Sequence, residues 1–245
     1  MIAPIFTSTT AEIIYPDCDG NPMSDNTKQF RWIVTIKENL ELLYAEHPDV
    51  FVAGDLLWYP VEGNNTIRQA PDIMVAIGTA KRDRGSYQQW KEAGIAPQVV
   101  FEILSPGNRL AEMQRKLSFY ERYGVEEYYI YDPDRIDFAG WTRIDGRLES
   151  ISPAEGSSED PHSWTSPILK IRFELEPDTL QIYRPDGQLF LSFLDLDLRR
   201  QAAEQRADTA EQRADTAEQR ADTAEQRAVL LASKLRELGI DPENL

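Results

Sequence analysis

Val99-Val100-Phe101-Glu102-Ile103-Leu104-Ser105-Pro106 is the stretch on which the reading of this chain turns. Five apolar side chains surround one carboxylate, and Ser105-Pro106-Gly107-Asn108 ends the run as a turn or cap. The next residues, from about Arg109 to Tyr123, set Leu110, Met113, Leu117 and Tyr120 at helical spacing on one inner face. Gly124 closes that helix, and Glu127-Tyr128-Tyr129-Ile130-Tyr131 returns as a strand before Asp132-Pro133. Strand, helix and strand joined by short connections predict a crossover packed on a sheet, and hence an α/β or α+β fold.

Working outward, Ser24 or Asp25 is placed to cap a helix running to about His47, with Phe30, Ile33, Val34, Lys37, Leu40 and Tyr44 on one face. Strand candidates follow at Val50–Ala53, at Leu56–Tyr59 and from Asp72 to Ile77. The polar segment Gly78–Ala96, with Lys81, Arg82 and Arg84, reads as an exposed excursion. Two hairpin-like pieces complete the body: Phe138–Ile144 with Arg147–Ile151 around Asp145-Gly146, and Leu169–Leu175 with Leu180–Arg184. Trp32, Trp58, Trp90, Trp141 and Trp164 are scattered, which suits core or hairpin packing.

Asp72 sits at the head of Ile73-Met74-Val75 as Glu102 sits within its own run. An acid embedded in an apolar strand is costly to desolvate unless something compensates it. Two such acids on neighbouring strands can share a divalent cation; equally, each can lie on the wet face of a half-buried strand. Lys116, three residues after Met113 and four before Tyr120, falls at the border of the helix's inner face. From there its ammonium can reach the strand ends that bear the acids, or it can cover the helix edge as a snorkelling side chain. Arg115 faces solvent. Asp55 is a third acid near this region, and Asn26 has no assigned role.

Composition removes several alternatives. With one cysteine, Cys18, there is no internal disulfide framework and no Cys-based zinc site. His47 and His162 are the only histidines, too few for a multi-histidine metal cage. Met1-Ile2-Ala3-Pro4 opens without a basic region followed by an apolar stretch, and no run approaches membrane-spanning length, so a soluble cytoplasmic protein without membrane contact is expected. The net charge of −16 opposes broad, non-specific nucleic-acid binding. Ten acidic and six basic residues lie from 201 onward, leaving −12 on residues 1–200, so the body is acidic in its own right.

Ala203-Glu204-Gln205-Arg206-Ala207-Asp208-Thr209 recurs unchanged at 210–216 and 217–223 and begins again at Ala224. Alanine recurs at alternating steps of four and three, and the phase continues in Leu231, Leu235 and Leu238 before Gly239. With Ala207 at heptad position a, Glu falls at e and Arg at g. Inside one helix the arginines have no acidic neighbour at helical spacing, whereas a parallel partner brings Arg206 opposite Glu211. A homo-oligomer through residues 203–238 is the expectation; a solvated lone helix carried by alanine propensity is the alternative. The expected division is a body at 1–195, a heptad-repeat helix at 196–238 and a short tail at 239–245.

Ala70-Pro71-Asp72, the Val99–Pro106 run, Lys116 in its helix and Tyr123-Gly124-Val125-Glu126-Glu127-Tyr128-Tyr129 with Asp132-Pro133 together resemble the Uma-type restriction endonuclease family. That family lies within the PD-(D/E)XK nuclease superfamily, and the resemblance covers roughly residues 10–195. It implies a restriction-endonuclease-like central mixed sheet flanked by helices. It also implies a Mg²⁺- or Mn²⁺-dependent endonuclease acting on nucleic acid, DNA before RNA. Asp72 matches the motif aspartate and Glu102 the first acid of the (D/E)XK element. The resemblance gives Asp72, Glu102 and the Ile103 carbonyl as metal ligands and Lys116 as the catalytic lysine. The chain departs from the pattern at Leu104, where the superfamily carries its lysine, and Lys116 is the nearest replacement. Arg82, Arg84 and Arg109 are candidate phosphate contacts.

Other chemistries are weaker. Ser105 lacks a G-x-S-x-G setting, and Ser105-Pro106-Gly107-Asn108 lacks the Lys-Ser/Thr ending of a phosphate-binding loop. Beside the endonuclease stands a second class: a catalytically inactive nuclease-fold interaction protein that oligomerises through its C-terminal helix.

Overall fold

The computed structural model of the protein describes residues 13–18, 26–151, 163–237 and 239. The predicted strand–helix–strand unit is present as strand β5 (Val99–Ile103), helix α2 (Leu110–Tyr123) and strand β6 (Glu127–Asp132), and β5 pairs parallel to β6. Ahead of it lie α1 (Thr27–Leu43), β1 (Val50–Gly54), β2 (Trp58–Tyr59), β3 (Ile73–Ile77) and β4 (Tyr87–Gln88). After it come β7 (Asp137–Ile144), β8 (Arg147–Ser150), β9 (Ser163–Thr165), β10 (Arg172–Leu175) and β11 (Leu180–Tyr183). A last helix, α3, runs Phe193–Glu237.

The central sheet has the order β1-β3-β5-β6-β7-β8, parallel only at β5–β6, so it is mixed as expected. All five residues of β5 are buried, because both faces of that strand are covered. One face packs Val99, Phe101 and Ile103 against Ile33, Ile36 and Leu40 of α1 and against Phe173 and Ile182 of the small sheet β11-β10-β9. The other face packs Met74, Val100 and Tyr128 against Tyr120 of α2 and against Trp58 and Tyr87. Side-chain alternation thus sends odd and even residues of β5 into two separate cores.

Local chemistry sets the boundaries. Asn26 caps α1, its side chain accepting from the N–H groups of Lys28 (3.0 Å) and Gln29 (2.7 Å). The expected caps, Ser24 and Asp25, lie outside the described residues, and the helix starts one to two residues later than they imply. Gly124 ends α2 in the left-handed conformation (φ 95°), which glycine adopts without steric cost. Asp145 and Gly146, both at positive φ, form the tight turn between β7 and β8.

Three expectations are corrected. The buried face of α1 is Gln29, Ile33, Ile36, Asn39 and Leu40, while Phe30 and Val34 are exposed. The helix is rotated because Gln29 and Asn39 point inward to fixed acceptors. Asn39 holds the chain at Leu191, donating to its carbonyl at 2.8 Å and accepting its N–H at 3.3 Å. Second, Leu110 is exposed rather than part of the inner face of α2, which is carried by Met113 and Tyr120. Third, the segment Gly78–Ala96 is not an exposed excursion. It contains β4 and buries Thr79, Ser86, Tyr87 and Glu92 around an internal ion pair.

The chain divides into two compact units, Met1–Ser192 and Phe193–Leu245. Within the second unit α3 buries none of its residues, and Leu238 lies outside the described residues. Among the described residues no helix is long and apolar enough to cross a membrane.

Loss of a side-chain cap costs a protein about 1 kcal/mol. Asn26→Ala should therefore lower unfolding stability by about 1 kcal/mol in urea titration, with no change in the slope of the transition. An unchanged midpoint would remove Asn26 as the structural start of α1.

Candidate active site

β3 and β5 are antiparallel with Ile73 opposite Phe101, so one further step sets Asp72 opposite Glu102. The same alternation that directs Met74 and Val100 to the α2 side directs both carboxylates there. Asp72 stands just ahead of β3 and closes this corner: its Oδ2 accepts the N–H of Ile103 at 2.6 Å, and its carbonyl accepts the N–H of Asp55 at 3.1 Å. The Ile103 carbonyl accepts from Gln29 Nε2 at 2.8 Å. Helix α1 therefore touches the strand end beside the two acids.

Glu102 is only 2% exposed. Two side chains of α2 reach it: Lys116 Nζ donates to Oε2 at 2.6 Å, and Tyr120 Oη donates to Oε1 at 2.5 Å. Lys116 and Tyr120 are four apart and so share one helix face, which lets both oxygens be met from a single element. Lys116 does point inward, with its side chain 12% exposed. Leu104, where the superfamily lysine would stand, is joined to β6 by its N–H, which donates to the Tyr131 carbonyl at 2.8 Å.

Burial pushes the Glu102 carboxyl up from its ordinary value, and the Lys116 ammonium and Tyr120 hydroxyl reverse only part of that; Glu112 adds to the rise. For Lys116, burial opposes the charged form, but the charges of Glu102, Asp72 and Glu112 outweigh it and raise its pKa. Burial, reinforced by Glu102, holds the Tyr120 phenol well above its usual range, so it remains a donor. The cluster sets the Glu102 carboxyl against the Lys116 ammonium, on which the charge of Asp72 also acts.

The remaining residues sort by contact. Arg84 is buried, lies over the Phe51 ring at 3.8 Å, and bonds Glu92 and the Ala80 carbonyl, so it is not available to a phosphate. Arg82 also binds Glu92, at 2.8 Å. Arg109 is exposed at the N-cap position of α2, and Arg115 is exposed as expected. Asn26 is a helix cap. Sequence reasoning missed Gln29 and assigned Tyr120 to the core alone. The signal for Tyr120 was its four-residue spacing from Lys116; nothing distinguished Gln29 from a surface glutamine.

Hard oxygen donors suit a hard cation such as Mg²⁺, which keeps several waters and needs few protein ligands. Asp72, Glu102 and the Ile103 carbonyl are such a set. The Tyr128 hydroxyl, fully buried and influenced by the charges of Glu102 and Asp72, has no hydrogen-bond partner among the described residues. It leaves a polar demand beside the cluster that a solvated cation would meet. Among the described residues no group of three or more His, Cys, Asp or Glu side chains is arranged around one metal position.

A mixed sheet crossed by one parallel β–α–β unit, with acids gathered at the strand ends, is an architecture of the restriction-endonuclease-like class. Residues 21–178 match the model of the Uma2 family, described as "Putative restriction endonuclease", and the chain belongs to that family. A similar solved structure is described as "a putative nuclease belonging to DUF820" from Anabaena variabilis ATCC 29413. It is 16% identical, with 60% of this chain and 74% of that chain covered and a TM-score of 0.41. Curated proteins offer no match to the chain.

The raised carboxyl pKa fixes the sign of one pH effect. The folded state favours protonated Glu102, so stability falls as pH rises from the ordinary glutamate range through the raised value. The raised Lys116 pKa has the same sign in a higher pH window. Its stabilisation is complete at neutral pH and is lost only as pH climbs past 10.5 and through the raised value. Lys116→Met leaves the buried carboxylate without its cation and should cost about 3 kcal/mol near neutrality. That deficit should shrink as pH falls to about 5, because the acid can then take a proton. Urea titrations at the two pH values check this; a deficit independent of pH would mean that Lys116 serves packing alone.

Proposed function

We propose that the protein is a metal-dependent endonuclease that hydrolyses phosphodiester bonds in nucleic acid, with DNA the favoured substrate. What supports the reading is the meeting of Lys116 with Glu102 at 2.6 Å on the sheet face that Asp72 shares by register. Membership of the Uma2 family supplies the reaction class. Asp72, Glu102 and the Ile103 carbonyl would hold Mg²⁺ or Mn²⁺, which when bound polarises a phosphate and acidifies a water.

The chain's own groups do the rest. Tyr120 fixes the carboxylate of Glu102, and Asp72 is oriented by the Ile103 N–H. Lys116 is protonated at rest, so its role is to orient the attacking water and to offset charge gathering on the phosphoryl oxygens, not to remove a proton. The lysine comes from α2 rather than from position 104, and its flexible stem makes that substitution feasible. Arg109, exposed at the start of α2, is the remaining candidate for a phosphate contact. A cytoplasmic setting fits this activity, and the C-terminal helix joins copies of the chain.

One observation favours a second reading, that of a non-cleaving nuclease-fold interaction protein. Both oxygens of Glu102 are already held by the chain's own donors. Plasmid DNA and a structured RNA, incubated with Mg²⁺ or Mn²⁺, separate the two. The wild-type protein should cut at least one of them, and Asp72→Ala should reduce the rate by about a hundredfold or more while remaining folded. Absence of cleavage with either metal and either polymer would leave the interaction protein as the better account.

A further inference from the structure

Among the described residues the repeat arginines of α3 have no partner. Arg206, Arg213, Arg220 and Arg227 have no ion pair or hydrogen bond to any described residue. By contrast, Arg200, just ahead of the repeats, is paired with Asp197 and Glu204. Thr209, Thr216 and Thr223 return their hydroxyls to the carbonyls of Gln205, Gln212 and Gln219, so they need no outside partner. Flanking the small-residue seam of this helix, the guanidinium groups at g and the carboxylates of Glu211, Glu218 and Glu225 at e carry no ion pair to any described residue; the aspartates at b are also unpaired but lie away from that seam.

Between those lines runs one seam. It begins at Phe193 and Leu196, crosses Arg200, and continues through the alanines to Leu231 and Leu235 in unbroken a/d phase. Phe193 is 85% exposed and Leu231 61% exposed, large apolar groups left uncovered at the two ends. We propose that α3 pairs with α3 of a second copy of this chain as a parallel, in-register dimer selected by its e and g charges. This deepens the reading that the tail joins copies, and it is independent of whether the body cleaves nucleic acid.

Orientation follows from charge. In a parallel pair, g of one helix faces e of the next heptad on the other, so Arg206, Arg213 and Arg220 meet Glu211, Glu218 and Glu225 of the second copy, in both directions. In an antiparallel pair, g faces g and e faces e, which sets arginine against arginine and glutamate against glutamate. Register follows from the ends. Identical heptads tolerate a shift of seven, but that shift sets Leu231 against Ala224 and Arg200 against Ala207. The apolar ends therefore pin what the repeats leave free. A parallel dimer places both bodies at the same end of the pair, because each body precedes its helix in the chain.

Sedimentation of the full chain tests association, and charge exchange tests its geometry. The wild type should run as a dimer at micromolar concentration. Glu211→Lys/Glu218→Lys/Glu225→Lys should self-associate about tenfold or more weakly. So should Arg206→Glu/Arg213→Glu/Arg220→Glu, and an equimolar mixture of the two should recover the dimer. Circular dichroism checks that each variant keeps its helix. In a Cys18→Ser background, Ala207→Cys should form a disulfide with its own position, and it should not do so with Ala214→Cys in a mixture. A monomeric wild type would overturn both the tail's role and this geometry. A dimer that cross-links Ala203→Cys to Leu235→Cys, or that ignores charge reversal, would keep the role and overturn the geometry.

Discussion

A carboxyl group has to be accommodated inside a dry sheet, and much of the body answers to that requirement. Glu102 is buried on the fourth residue of the strand most completely enclosed on both faces. Among the described residues two polar side chains bond it, and both come from α2. The helix must therefore lie with one face toward the ends of β5 and β3, which is where a right-handed crossover from β5 to β6 delivers it. Moving α2 by one turn would strip the acid of both partners at a cost of several kcal/mol, a large part of the stability of a domain this size.

Besides Glu92 and Glu102 the body buries Glu127, and the contrast with Glu102 is informative. Glu127, at the start of β6, is 1% exposed and faces the other core. It accepts from the Tyr129 and Ser166 hydroxyls and from the Ile168 N–H at 2.7 Å. Burial raises its pKa, and those hydrogen bonds restrain the rise. Tyr129 is on the same strand, whereas Ser166 and Ile168 lie between β9 and β10, so Glu127 fastens the small sheet to the central one. Glu102 instead meets a flexible ammonium beside a second acid. A buried carboxylate is not by itself a sign of chemistry; the mobility and charge of what compensates it distinguish these two.

Much of this was legible in sequence where apolar period and polar punctuation agree. β5, α2, Gly124 and β6 announced themselves because strand, helix and cap each carry their own signal. Lys116 was recoverable because a border position on a wheel leaves only two directions. The opaque parts are those where polar residues turn inward. Gln29 and Asn39 bind backbone groups at Ile103 and Leu191, far away in sequence, and the pattern of α1 misdirects because Phe30 and Val34 look like its core face. The segment Gly78–Ala96 reads as surface because its centre is an ion pair. Arg84 and Glu92 are each nearly enclosed, and Phe51 packs beneath the guanidinium. No local periodicity signals a charge that is buried only because its opposite is buried with it.

Charge also constrains what the proposed site can admit. The carboxylates of Asp72, Glu102 and Glu112 all act on Lys116, and its single ammonium cannot balance them. The body around them carries −12. A phosphodiester approaching such a surface is repelled at long range and at short range alike, whatever the fit of its shape. The sign of the field has to be reversed locally before a polyanion can dwell there, and Arg84 and Arg82 do not do this, since both are spent on Glu92. On the proposed reading, Asp72 and Glu102 would hold a divalent cation whose charge would reverse that sign. The acidity that argues against a broad nucleic-acid surface thus fits the proposed reading, in which a metal would bind this small cluster before a polyanion does.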